Sequence, residues 1–171
     1  MKVFKDILGY NQDEVLSDAF DITELDVVYE VKTKMIKKDT SIKVDTGANA
    51  SEEEEEEGTE SSGVVEVNNL VDAHNLTLTS FDKKAYLTYI KGYMKEVAAK
   101  LEVNNPGRVE DFKKGAQEFI KGVVAKFDQY TFYQGENMDA DGMVILAYYK
   151  EDDPKNPFFY YFKDGLRGEK Y

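Results

Sequence analysis

Cysteine is absent from the 171 residues, tryptophan is absent, and there is a single histidine. The lack of cysteine removes disulfides, thiolate nucleophiles and cysteine-bound zinc together. One histidine, His74, sits in a turn-like stretch between strands and reads as an exposed side chain without a catalytic partner. Proline occurs three times, and no apolar run approaches the roughly 18 residues of a membrane span. The start, "MKVFKDILGYNQDE", has neither a continuous apolar stretch nor a small-residue cleavage site, so the expected compartment is the cytosol. Asn49-Ala50-Ser51 and Asn75-Leu76-Thr77 match the glycosylation pattern but carry little weight in that setting. A Walker loop and a dinucleotide fingerprint are both missing. With 34 acidic residues, chance carboxylate pairs single out no glycosidic site. Nothing in the chain demands catalysis.

What is present is acid and aromatic ring. The net charge is −12, which argues against nucleic acid as a partner. The charge is uneven: residues 82–128 carry a net +3 and the remainder −15. Tyr and Phe total 22, enough to furnish a sizeable core in one domain spanning 1–171.

Alternation predicts strands at 2–7, along 27–38 (with Val27, Tyr29, Val31 and Met35 on one face), at 63–67 and at 75–81. Residues 39–63 carry six consecutive glutamates and few large apolar groups, which predicts a long acidic mobile loop tied down at both ends. Within it, Ser51 precedes the acidic run and is a candidate for phosphorylation by acid-directed kinases. From 82 to 128 the period changes. Tyr86, Tyr89, Ile90, Tyr93, Met94, Val97 and Leu101 form one helical stripe, capped by Ser80 or Asp82. "NNPG" (104–107) stops it, and a second stripe runs from Val109 through Phe112, Ala116, Phe119, Ile120 and Val123 to Phe127. The short connection predicts an antiparallel helical hairpin. "YTFYQG", "MVILAYYK" and "FFYYFKD" then read as strands, so the class is α+β with a mainly antiparallel sheet.

"NMDADG" (137–142) has the spacing of a calcium loop's first half. Its flanks are strand-like, however, and the twelfth position is Tyr148, which cannot chelate. A hairpin connection fits better, with Gly135, Asn137, Asp139, Asp141 and Gly142 supplying turn conformations and local side-chain hydrogen bonds. Glu136, Asp139 and Asp141 are still oxygen donors on an acidic body, so any calcium binding is expected at about 10⁻⁴–10⁻³ M. No other cofactor is expected.

"TGANASEEEEEE" (46–57) and "FYQGENMDADGMVILAYYK" (132–150) resemble the two signature segments of the translationally controlled tumour protein family, and "NNPGRVEDF" and "YYFKDGL" agree with it. The resemblance covers essentially the whole chain. It implies a β-tent core, shared with a zinc-containing chaperone of Rab GTPases and with methionine sulfoxide reductases, plus an acidic loop and a helical hairpin. Zinc and sulfoxide chemistry do not transfer, because both need cysteine; a disulfide-linked dimer is excluded likewise. The resemblance further implies a non-enzymatic cytosolic protein that binds calcium and associates with tubulin, elongation factors and small Ras-like GTPases. A role there as a GTPase chaperone or exchange modulator is likewise only what the resemblance implies. By motif position the GTPase-facing glutamates fall on Glu136 in "GENMD" and, across a segment one residue longer than the family's, on Glu14 in "NQDEVLSD". The competing expectation is an acidic calcium buffer or microtubule-associated protein acting by charge alone. Salt separates the two, since screening weakens a charge-only encounter more than a shaped interface.

Overall fold

The computed structural model describes residues 1–39 and 64–170; the glutamate run and Ser51 lie outside the described residues. Eleven strands and three α-helices are present among those residues, in three antiparallel sheets. β1 (Lys2–Asp6) is the centre of a three-stranded sheet between β2 (Glu14–Ser17) and β11 (Leu166–Lys170). The six-stranded sheet runs β3 (Asp21–Glu24), β4 (Val28–Lys32), β10 (Phe158–Phe162), β9 (Ile145–Tyr148), β8 (Tyr130–Gln134), β7 (Thr77–Thr79). A ribbon of β5 (Met35–Asp39) and β6 (Val64–Asn68) pairs Asp39 with Val64, bringing together the two ends of the intervening chain.

β10 explains why "FFYYF" is a continuous apolar run. Phe159 and Tyr161 face the three-stranded sheet, where the Tyr161 hydroxyl donates to the Val15 carbonyl at 2.7 Å. Tyr160 and Phe162 face the helices, packing on Phe119 at centroid distances of 5.8 and 5.6 Å. A strand buried on both faces has no polar alternation to show. Burying each such ring contributes roughly 1.5–3 kcal/mol.

The helices form where the 3.6-residue stripes predict. α1 (Asn69–His74) is short and capped by Asn68, whose side chain accepts from the amides of Leu70 and Val71. α2 (Lys83–Asn104) starts at Asp82, which accepts from the Ala85 amide at 2.7 Å; it buries Tyr86, Ile90, Tyr93, Val97, Ala98 and Leu101. A 3-10 turn at Pro106–Arg108 leads into α3 (Val109–Ala125), which buries Phe112, Ala116, Ile120 and Val123. Both helices close on Phe162, through Tyr93 from α2 and Phe112 from α3. No helix among the described residues is long and apolar enough to cross a membrane.

Three expectations change. The stretch 27–38 is two strands in different sheets, broken at Thr33-Lys34. Thr33 is buried there, donating to the Pro157 carbonyl and accepting from the Asn68 side-chain amide, so the chain turns without Gly or Pro. Tyr29 and Val31 share a face of β4 as expected, but Val28 on the other face is buried too, so the strand is covered on both sides and not on one. His74 is not an exposed residue: it ends α1 half-buried, with its ring 5.9 Å from that of Phe20. Burial lowers its pKa, and its Nε2 has no hydrogen-bond partner.

Candidate functional site

The segment that opens like a calcium loop joins β8 to β9, two antiparallel neighbours, so it is a hairpin connection. Backbone bonds close its turns locally, but the side chains of Asn137 and Asp139 bond to the β1–β2 loop and not locally, contrary to expectation. The Asp139 carboxylate accepts from the backbone amide and the side-chain amide of Asn11, both at 2.9 Å. Asp13 accepts from the backbone N–H of Asn137 at 3.0 Å and from its side chain. Asp6, at the end of β1 and 5% exposed, accepts from the amides of Met143 at 2.7 Å and Leu8 at 3.0 Å. Three aspartates thus clasp the β1–β2 loop against the β8–β9 loop, and every bond is charge-assisted.

The glycines serve this clasp. Neither Gly135 nor Gly142 has a positive φ; the left-handed residue in the loop is Met138, with φ 50°. A Cβ on Gly135 would meet Asp13 Oδ2 at 2.5 Å, and one on Gly142 would meet Asp6 Oδ2 at 2.6 Å. Close approach of a carboxylate, not turn geometry, is what requires glycine at these places.

From the helical hairpin, the Tyr89 hydroxyl reaches the same loop. It donates to the Gly142 carbonyl at 2.7 Å and accepts from the Val144 amide at 2.9 Å. Burial drives the tyrosine's pKa well above its ordinary value, so the hydroxyl stays protonated.

On this platform Glu136 is exposed, at the corner of a turn closed by the Met138 amide donating to the Gly135 carbonyl at 3.0 Å. Glu14 is exposed at the start of β2. Each is one residue from the Asp13–Asn137 contact, so two glutamates 122 positions apart in the chain come to flank one hydrogen-bonded pair. Asp141 is exposed, whereas Asp139 is half-buried and committed to Asn11. Among the described residues no group of three or more His, Cys, Asp or Glu side chains is placed to hold a metal ion. Asp6, Asn11 and Asp13 are organising residues that the sequence does not single out, and Tyr89 shows there only as one member of a helical stripe.

The family model described as "Translationally controlled tumour protein" matches residues 1–167. Translationally-controlled tumor protein homolog 1 of Dictyostelium discoideum is 57% identical over 100% of both chains, and the Schizosaccharomyces pombe homolog is 47% identical over 100% of both. Among solved structures, p23fyp of Schizosaccharomyces pombe superposes with a TM-score of 0.85 at 47% identity, covering 100% of each chain. The Caenorhabditis elegans protein gives 0.69 at 28% identity, over 100% of this chain and 99% of that one. With matches of this extent in both sequence and fold, the chain belongs to the translationally controlled tumour protein family.

Proposed function

We propose that this protein is a non-enzymatic cytoplasmic binding protein whose two-loop platform engages a small Ras-like GTPase or an elongation factor. The observation that carries this reading is the pairing of Glu14 and Glu136: both are exposed, and both are held at the edges of a clasp whose other carboxylates are spent on structure. The hydrogen-bonded frame fixes the backbone beneath the two glutamates, so binding has to order only their side chains and not the loops that carry them. At a partner's nucleotide site they compete with phosphate for cationic side chains or with water for magnesium, and so loosen the nucleotide. The net −15 of the chain outside residues 82–128 favours a basic partner.

The test is the binding of purified Ras-like GTPases and elongation factors to Glu136→Ala and Glu14→Ala, with the melting temperature of each variant measured alongside. Affinity is expected to fall by about 2 kcal/mol or more. Stability is expected to stay within about 0.5 kcal/mol of wild type. Lost stability with unchanged intrinsic affinity overturns the reading.

Calcium belongs to this proposal as a weak, salt-sensitive ligand of the same loop, drawn by exposed Glu136 and Asp141 beside Asp139. The charge-only alternative, a calcium buffer or a tubulin-associated protein, draws on the contrast between the mildly basic hairpin and the acidic remainder. It predicts that binding disappears by moderate salt and is indifferent to which single glutamate is replaced.

A further inference from the structure

A groove of about 720 Å³ opens beside the platform, between the first turns of α2 and the β8–β9 loop. Phe81, Ala85 and Tyr89 line its helical side, and Met138 and Ala140 line the loop side. Phe81 forms the base of an aromatic cluster, with its ring 5.7 Å from those of both Tyr89 and Phe132. Packing of that kind fixes the wall in place before anything binds.

Met138 is the unusual member. It is 44% exposed, and its φ of 50° is a conformation that residues other than glycine, asparagine and aspartate rarely adopt. Folding alone favours glycine at such a position and gains little from a thioether left in water. Its side chain does, however, form the lip of the groove, and methionine adapts its shape to an apolar group laid against it. A strained, exposed apolar residue next to a preformed apolar groove is the pattern of a binding edge.

Charge identifies the kind of occupant. Among the lining residues the only charges, Asp82 and Lys84, offset one another. The nearest further charge along the loop side is Glu136, which is exposed and two residues from Met138. We propose that the groove receives an apolar side chain from a protein segment in which that residue neighbours a Lys or Arg, the basic residue pairing with Glu136. This rests on the reading of Glu136 as a partner-facing group and supplies its missing half: carboxylates steer and orient, and an apolar anchor holds.

The experiment titrates purified Ras-like GTPases, nucleotide-free and GDP-bound, and an elongation factor against four proteins: wild type, Glu136→Ala, Met138→Gly and Ala85→Glu. Glycine suits the backbone at 138, and Ala85 is an exposed helical position, so both groove variants fold. Melting temperatures verify this. Met138→Gly and Ala85→Glu are each expected to weaken binding about tenfold, chiefly through faster dissociation. Raised salt is expected to slow association for all four proteins and leave the groove variants' faster dissociation in place. If Glu136→Ala weakens binding while both groove variants bind like wild type, the groove is no docking site and the platform reading stands. Weakening by the groove variants alone keeps the groove and removes the glutamate from its role. If wild type binds none of the probes, or no variant changes binding, both readings fall. A concentration-dependent dimer in sedimentation that Ala85→Glu dissolves overturns the proposal in favour of a second copy of the chain.

Discussion

Asp6 and Met143 lie 137 residues apart in the chain and share a buried hydrogen bond of 2.7 Å, the Met143 amide donating to Asp6 Oδ2. The other carboxylate oxygen accepts from Leu8, so both oxygens are occupied and the two loops of the platform meet on one side chain. Asparagine has the same shape but only one acceptor oxygen. Asp6→Asn turns an amide N–H toward the N–H of Met143 or Leu8 and leaves it unsatisfied, with an expected loss of about 1–3 kcal/mol by denaturant unfolding.

The same carboxyl gives a pH signature. Burial raises its pKa above the ordinary 3.8, the Asp13 charge adds to the rise, and the amides of Met143, Leu8 and Gly9 work against it. The folded state therefore holds this proton more tightly than the unfolded chain, and the group adds stability as pH falls through its raised pKa toward 3.8. Measured from about pH 7 down to about pH 4, the stability of wild type relative to Asp6→Asn is expected to increase. A difference that shrinks over that range contradicts the assignment.

Tyr89 and Tyr86 offer a matched pair of hydroxyl deletions. The Tyr89 hydroxyl serves the Gly142 carbonyl and the Val144 amide, whereas that of Tyr86 is buried without a partner. Tyr89→Phe is expected to cost about 1–3 kcal/mol, and Tyr86→Phe to be neutral or stabilising, because removing an orphaned polar group relieves its desolvation. Hydrogen exchange at the Val144 amide reports the first change independently, and it is expected to accelerate in Tyr89→Phe alone.

These residues mark what a sequence shows and what it conceals. The hairpin helices are legible because Tyr86, Ile90, Tyr93 and Val97 repeat at the helical period and Pro106 breaks it. β2 and β3 escape such a reading, being four residues each and too short to establish a period. β11, "LRGEK", has no apolar alternation to mark it and is a strand through its pairing with β1. The connection between β8 and β9 is legible as a hairpin from its strand-like flanks and its turn-forming residues. That Asp139 bonds to Asn11 is not, since the partner lies 128 positions away and no local pattern encodes it.

Glycine replacement separates close approach from mere helix cost. Gly135→Ala puts a methyl 2.5 Å from Asp13 Oδ2 and 2.8 Å from its Cβ, so the clasp must shift, with an expected loss of about 1–3 kcal/mol. Gly122 lies exposed in α3, where an added methyl would have no neighbour within 4 Å, and Gly122→Ala is expected to add about 0.5–1 kcal/mol. Thermal unfolding of the two variants in one buffer checks both signs.

Arg108 tests how the helical hairpin is fastened to the sheets. It sits in the turn between α2 and α3, and its guanidinium grips Asp164, Nε at 3.2 Å from Oδ1 and Nη2 at 3.0 Å from Oδ2. The same Nη2 also donates to the Asp26 carbonyl at 2.8 Å, so one planar group joins the hairpin turn to two connections of the six-stranded sheet's end. The side chains of Arg108 and Asp164 are only 21% and 12% exposed, which limits screening by salt. Lysine keeps the charge but not the fork: it cannot hold both carboxylate oxygens and a carbonyl in one plane. Arg108→Lys is therefore expected to lose about 1–2 kcal/mol, and Arg108→Ala about 2–3 kcal/mol because Asp164 is then left without its cation. If the fastening is the fork and not the charge, raising the salt concentration leaves the lysine gap unchanged, and only the alanine variant's extra loss narrows. Equal stability of the lysine variant and wild type at low salt shows instead that a point charge suffices.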